Sequence, residues 1–164
     1  MGWGQGFNHG KVGRILSPLL EKIRLEAKVH NKPIILIGWS LGGIIAREIA
    51  RQAPEKVLAV CCMGSPIIGG PQFTIYARLY QKIGFDLSET AATIQKREKN
   101  AIAVPSHVMY SKKDGIVHWE ACIDTNNMHT THKEIQAPHF SMGSSLEVYK
   151  ELVRWIKTIL PASP

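Results

Sequence analysis

The sequence contains little cysteine, few aromatic residues and no long apolar run. Its three cysteines among 164 residues are too few for a disulfide framework and suit a reducing compartment. No apolar stretch approaches the ~20 residues that a membrane-spanning helix needs. The N-terminus has neither the basic nor the apolar segment of a signal peptide. We therefore expect a cytoplasmic protein without integral membrane association.

Acidic residues are also scarce relative to basic ones: 13 Asp and Glu stand against 20 Lys and Arg, which gives a net charge of +7. The basic residues are scattered over several segments rather than clustered with aromatics on one element, which argues against a nucleic-acid partner. Such scattered basic residues are typical of solvated helix faces. The alternative is that they bind an anionic substrate or a lipid surface. Length and the 45% hydrophobic content predict a single domain over residues 1–164.

The apolar pattern alternates between helical and strand periods. A helical stripe covers residues 12–29, where Ser17-Pro18 marks either a kink or the true start of the helix. Strands are predicted at residues 33–37, 56–64, 106–110 and 129–136, and a capping box of Ser144 and Glu147 predicts a last helix. This rhythm predicts a three-layer α/β fold with a mainly parallel sheet of about four strands.

Residues 67–103 interrupt the alternation. They contain two helical patterns, at about residues 73–83 and 87–100, between two predicted strands. Helical insertions of this kind often cover active sites, and an ordinary crossover made of two helices is the alternative. We expect a lid-like insertion here.

The segment Gly38-Trp39-Ser40-Leu41-Gly42 fits the pattern G-x-S-x-G and lies between a predicted strand and a predicted helix. That context is the nucleophile elbow, in which a serine sits on a sharp turn. Side chains at Gly38 and Gly42 are expected to clash as strand and helix close. Ser40 would be the nucleophile, and the Leu41 N–H at the helix start would bind an oxyanion. A tight turn with an incidental serine is the alternative.

An activated serine needs a base, and the base needs an orienting carboxylate. Asp114 directly follows the third predicted strand and His139 follows the fourth, so both lie at the carboxyl edge of a parallel sheet with Ser40. His118, four residues beyond Asp114, is the alternative base. The remaining rivals lie at the wrong end of a strand, before the elbow, or away from any strand end: His9, His30, His107, His129, His132, Asp86, Glu120 and Asp124.

Two other site chemistries are not expected. His129 and His132 have the spacing of a metal pair, but no cysteine or carboxylate set accompanies them, so no metal site is predicted. The glycine spacing near Ser40 is wrong for a phosphate-binding loop, and Gly-Lys-Ser/Thr is absent. No cofactor is expected.

The elbow, the segment 110–117 with its Asp-Gly-Ile-Val, and Pro138-His139-Phe140 together resemble the α/β-hydrolase superfamily, in particular its bacterial esterase and lipase-like members. Gly64-Ser65-Pro66 fits as well, as does the glycine-rich segment 2–10. The resemblance implies hydrolysis of a carboxylic ester or thioester through an acyl-enzyme. We expect Phe73, Tyr76 and Tyr80 of the helical insertion to line the acyl side of the substrate, and Trp39 of the elbow to contact the substrate as well. A non-catalytic module that binds a partner or lipid, and an acyltransferase using the same triad, are the alternatives.

The chain departs from the family before the elbow. Members usually place several strands there, together with a loop that donates a second oxyanion N–H. Only 32 residues precede Pro33, and they contain one helix and no convincing strand. The sequence therefore resembles a member lacking its usual N-terminal strands, and the elbow strand is expected at or near a sheet edge. Residues 2–6 are candidates for the missing donor, and a second copy of the chain is a candidate to complete the sheet as a homodimer.

Overall fold

A computed structural model describes residues 12–84 and 86–160 of the chain, with side chains from residue 15 onward. Four strands and five α-helices make up this part: α1 (Val12–His30), β1 (Ile34–Trp39), α2 (Leu41–Gln52), β2 (Val57–Met63), α3 (Ala77–Lys82), α4 (Leu87–Glu98), β3 (Ser106–Tyr110), β4 (Thr130–Glu134) and α5 (Leu146–Ile159). No helix in these residues is long and apolar enough to cross a membrane.

The strands form one parallel sheet in the order β1-β2-β3-β4. Alternate side chains of β2 lie on opposite faces of the sheet, because successive side chains of a strand point in opposite directions. Val60 and Cys62 pack with α1 and α2, whereas Ala59 and Cys61 pack with α5. Both faces of the sheet are thus covered, which confirms the predicted three-layer α/β architecture with four strands.

Strand β1 lies at the edge of the sheet, as predicted. Within the described residues it pairs with β2 and with no other strand. Ile37 in this strand is 48% exposed, although a β-branched run of this kind usually lies inside a sheet. Pairing of this edge with a second copy of the chain stays a prediction.

Helix α1 runs from Val12 through Pro18, which confirms the predicted helical stripe and excludes Ser17-Pro18 as the start of the helix. Two other local predictions need correction. The capping box at Ser144 is wrong: α5 begins at Leu146 after Ser145, and Glu147 instead accepts a hydrogen bond from the Gln136 N–H at 2.9 Å. In the insertion, the predicted first helix is shorter, because a 3-10 turn (Gly70–Phe73) precedes α3.

Candidate active site

The elbow holds its serine in a strained backbone conformation. Ser40 joins β1 to α2 with φ 54° and ψ −123°, in the left-handed half of the map that side-chain-bearing residues rarely occupy. Its N–H donates to the Met63 carbonyl oxygen at 2.8 Å, which ties the turn to the end of β2. Leu41 is the first residue of α2, so its N–H has no acceptor within the helix.

The close approach of β1 to α2 requires a glycine at position 38 but not at position 42. A Cβ at Gly38 would overlap the Gly42 carbonyl and the Gly43 nitrogen, which are backbone atoms. A Cβ at Gly42 would meet nothing within 4 Å, so the predicted clash there is wrong. Gly43 is the second crowded position, because its Cβ would overlap the hydroxyl of Ser65 after β2.

Asp114 and His139 form a buried hydrogen-bonded pair. His139 Nδ1 lies 2.7 Å from Asp114 Oδ2, and the His139 residue is only 4% exposed. The other carboxylate oxygen accepts the N–H groups of Ile116 at 2.8 Å and Val117 at 2.9 Å. An ionised carboxylate only accepts hydrogen bonds, so Nδ1 carries the proton and Nε2 is left as the basic nitrogen.

The surroundings of Asp114 keep it ionised. Burial by itself would raise its pKa, but the hydrogen bond from His139 and those from the Val117 and Ile116 N–H groups outweigh that effect. The pKa of Asp114 therefore lies below its usual range. A charged carboxylate in this position fixes the imidazole tautomer and stabilises an imidazolium.

Gly64, which directly follows β2, lies against this pair. A Cβ there would come within 3.0 Å of Asp114 Oδ2, 3.1 Å of His139 Nδ1 and 2.9 Å of Met142 Sδ. Its φ of 53° also favours glycine. The resemblance to α/β-hydrolases includes Gly64-Ser65-Pro66, and a glycine at the end of the strand beside the elbow is the sequence signal for this role.

Two adjacent residues at the end of β2, Met63 and Gly64, hold Ser40 and the Asp114–His139 pair at one edge of the sheet. Met63 accepts the Ser40 N–H, and Gly64 contacts the pair. The Trp39 ring, next to Ser40, lies 5.4 Å from the His139 ring between centroids. No hydrogen bond joins Ser40 Oγ to His139 in the described residues; such contacts are often long before substrate binds.

Two rival histidines have other partners. His107 Nδ1 lies 2.7 Å from Thr131 Oγ1, while its Nε2 lies 3.1 Å from Glu151. His132 Nε2 accepts the Asp124 N–H at 3.0 Å. His118, the alternative base, is exposed, and Asp114 bonds to His139 rather than to His118.

The predicted substrate contacts fall in different places. Trp39 lies beside His139, as described above. Phe73 lines a cavity of about 300 Å³ together with Ile68, His118, Glu120 and Ala121. Tyr76 and Tyr80 line neither this cavity nor the neighbouring one of about 330 Å³ beside Asp114.

No local sequence pattern indicates the buried ionic cluster that lies next to the elbow helix. Arg47 of α2 lies 2.7 Å from Glu98 at the end of α4 and 2.9 Å from Asp124 in the loop before β4. All three side chains are almost fully buried, and Glu98 also contacts Arg51 at 3.0 Å. The cluster joins the helix that carries the elbow to the insertion and to the loop before β4.

The cysteine thiols are poorly suited to act as nucleophiles. All three are free and buried. Burial raises the pKa of Cys62 to about 12 despite the opposing effect of Arg47, and it also raises the pKa values of Cys61 and Cys122. Across residues 12–84 and 86–160, no three His, Cys, Asp or Glu side chains are grouped as a metal site would need.

Strand, elbow, helix and a following Asp–His pair in this order define an α/β-hydrolase fold. Residues 16–91 match the family model of the alpha/beta hydrolase fold. This match covers just under half of the chain, and together with the architecture it shows an α/β-hydrolase fold.

Solved structures with similar folds have low sequence identity to the chain. An alpha/beta hydrolase enzyme from the sediment metagenome of the Mar Chica lagoon has TM-score 0.65 and 19% identity, over 95% of this chain and 74% of that one. A monoacylglycerol lipase of Paleococcus ferrophilus has TM-score 0.69 and 14% identity, over 94% and 78%. An esterase of Pyrococcus furiosus has TM-score 0.67 and 18% identity, over 95% of this chain and 66% of that one.

Proposed function

We propose that the protein is a serine hydrolase that cleaves a carboxylic ester or thioester, with Ser40, His139 and Asp114 as its triad. The observation that carries the proposal is the buried Asp114–His139 hydrogen bond of 2.7 Å, in a chain whose Ser40 occupies a strained elbow. The match of residues 16–91 to the alpha/beta hydrolase fold model supports the reaction class.

In the proposed reaction, Ser40 Oγ attacks the substrate carbonyl carbon while His139 Nε2 takes its proton. Asp114 stabilises the imidazolium through Nδ1, and the Leu41 N–H binds the oxyanion. Collapse of the tetrahedral intermediate breaks the carbonyl–oxygen or carbonyl–sulfur bond, and His139 protonates the leaving group. Water, deprotonated by the same histidine, then hydrolyses the acyl-enzyme and restores Ser40.

An apolar acyl or alcohol group fits the surroundings of His139. Its ring is 5.4 Å from the Trp39 ring and 5.7 Å from the Phe140 ring, and both of these aromatic side chains are partly exposed to solvent. Phe73, Tyr76 and Tyr80 would contact the substrate from the insertion, acting as a lid. The named similar structures include a monoacylglycerol lipase and an esterase, which supports an ester as the substrate class.

Within the described residues, the Leu41 N–H is the one oxyanion donor that the proposal uses. Loss of one donor typically lowers kcat by about 10²–10³. The glycine-rich residues 2–6, which are the candidates within this chain, lie outside the described residues. With Leu41 as the one donor that the described residues assign, we expect a slow enzyme unless these residues complete the site.

Hydrolysis of p-nitrophenyl butyrate tests the proposal. Ser40→Ala and His139→Ala should reduce the rate to that of the uncatalysed reaction, because each removes a group that reacts directly. Ser141→Ala is the matched control: Ser141 is exposed and lies two residues from His139, and its variant should keep the normal rate. Hydrolysis that persists in the Ser40→Ala variant would contradict the assignment.

A further inference from the structure

The loop at residues 123–129, which leads into β4, is held in place by Asp124. The Asp124 carboxylate lies 2.9 Å from Arg47 of α2. It also accepts the Asn126 N–H and the Thr130 hydroxyl, each at 3.1 Å. The Asp124 N–H donates to His132 Nε2 at 3.0 Å. Asp124 is only 3% exposed, so water does not readily replace a partner that is lost here.

The bond between Asp124 and His132 requires a neutral imidazole ring. A ring nitrogen accepts a hydrogen bond only while it carries no proton, so Nε2 is unprotonated and Nδ1 carries the single ring proton. Protonation of Nε2 would place its N–H against the Asp124 N–H, so that two donors face each other without an acceptor. The backbone N–H cannot turn away as a hydroxyl could, because it lies in the plane of its peptide group. Protonation of Nε2 and the bond to Asp124 therefore exclude each other.

Charged and titratable groups of three neighbouring elements face His132. Burial has the largest effect and lowers the pKa of His132, the Asp124 carboxylate of the loop raises it, and Arg47 of α2 lowers it. The net result is a pKa below the usual value of 6.5. His107 on β3 faces the same ring, since a charge on His132 lowers the pKa of His107. Glu134, on the same face of β4, is paired with a lysine at 3.2 Å.

We propose that His132 and Asp124 form a pH-sensitive latch, which is closed while the His132 ring is neutral and opens when Nε2 takes up a proton. Opening releases residues 123–129 from β4 and separates the Asp124 carboxylate from Arg47, which keeps Glu98 as its partner at 2.7 Å. In the open loop His132 titrates near its usual pKa of 6.5. Because the closed latch has the lower pKa, its stability is fully present above about pH 6.5 and is lost progressively as the pH falls towards the pKa of the closed latch.

The latch is independent of the proposed hydrolysis, because none of its residues belongs to the triad. It nevertheless reaches the elbow helix, since Arg47 lies in α2, whose first residue is Leu41. Opening takes one of two buried carboxylates away from that helix. Acidification below about pH 6.5 is thus expected to weaken the contact between α2 and the loop before β4.

Two other histidines allow the effect of His132 to be separated from general protonation. His129, three residues before His132, is exposed, and its ring has no hydrogen-bond partner in the part of the chain that the structure describes. The variant His129→Gln is therefore the matched control. His107 is buried and has a lowered pKa of its own, but its ring contacts Thr131 and Glu151. Any pH dependence that His107 causes should remain in variants of His132.

Amide hydrogen exchange of the full chain, measured residue by residue by NMR between about pH 7.5 and about pH 5, tests the proposal. The protection factor, which is the intrinsic exchange rate divided by the observed rate, removes the direct effect of pH on exchange. Protection of the Asp124 N–H should fall by up to about tenfold per pH unit below about pH 6.5. The variant His132→Gln should keep this protection at every pH, because the glutamine side-chain oxygen lies as many bonds from Cα as Nε2 does, accepts the same hydrogen bond and does not titrate. The variant His132→Leu should lack the protection at every pH.

The control variant His129→Gln should show the same fall in protection as the unaltered chain. Protection of Asp124 that stays constant with pH in the unaltered chain would overturn the proposal, as would an equal fall in His132→Gln. An equal fall at the amides of β3, such as that of Val108, would also overturn it, because pH would then act on the whole fold rather than on the loop.

Discussion

Substitution of Gly38 by alanine should disrupt the elbow, whereas the same change at Gly42 should not. A Cβ at Gly38 would lie well under 3.0 Å from the Gly42 carbonyl and the Gly43 nitrogen. These are backbone atoms at the start of α2, so relief requires strand and helix to separate. Gly42 offers a matched control, because a Cβ there meets nothing within 4 Å.

The magnitudes follow from these contacts. Overpacking a buried site typically costs 1–3 kcal/mol, and the contact with rigid backbone places Gly38→Ala at about 3 kcal/mol. In a domain of this size that lowers Tm by roughly 6–12 °C. Gly42→Ala should leave Tm unchanged or raise it slightly, since alanine is favoured over glycine in a helix by about 1 kcal/mol.

Thermal unfolding followed by circular dichroism measures both effects, and ester hydrolysis measures the displacement of the proposed nucleophile, Ser40. A shift of Ser40 by about 1 Å should lower kcat about 10²-fold in Gly38→Ala. Equal Tm values for Gly38→Ala and Gly42→Ala would refute the close approach of strand and helix on which the elbow depends.

Two further variants test the buried charges. Arg47→Met should destabilise the fold by about 3–5 kcal/mol, because the buried Asp124 carboxylate loses its arginine partner. Arg51→Met, the control, should lower the free energy of unfolding by about 1 kcal/mol or less. Similar urea midpoints for the two variants would contradict the role of the cluster. Because the pKa of Asp114 is lower in the folded protein than in the unfolded chain, where it is about 3.9, the ionised carboxylate stabilises the fold at a pH above that unfolded pKa. This stabilisation is lost as the pH falls through the folded pKa. The stability difference between the unaltered protein and Asp114→Asn should therefore shrink below about pH 4, and a difference that stays constant in urea unfolding down to pH 2 would contradict that sign.

Local signals in the sequence were sufficient to predict most of the architecture. The strand at Ser106–Tyr110 has the predicted bounds, and the predicted short helical turn at Trp119–Cys122 is a 3-10 turn. The position of β1 at the sheet edge followed from counting the elements before the elbow. Such features depend on periodicity and connectivity, which a sequence displays directly.

Features that depend on distant contacts could not be predicted in this way. Arg47 and Glu98 are 51 residues apart, and nothing near either residue indicates that they meet inside the protein. Gly42 fits the motif as well as Gly38 does, but only a Cβ at Gly38 would clash with the start of α2. Which of the two glycines clashes depends on the angle between β1 and α2, and the sequence does not show this angle. Glu147 had the spacing of a capping box, yet its carboxylate bonds to the Gln136 N–H across a loop.

Covalent labelling by a fluorophosphonate, with the modified peptide located by mass spectrometry, tests the central claim most directly. The reagent forms a stable bond with an activated serine oxygen and expels fluoride, so it reports the nucleophile without knowledge of the substrate. We predict one label, on Ser40, which is absent in Ser40→Ala and strongly slowed in His139→Ala. A label on another residue, or labelling that Ser40→Ala leaves unchanged, would contradict the account.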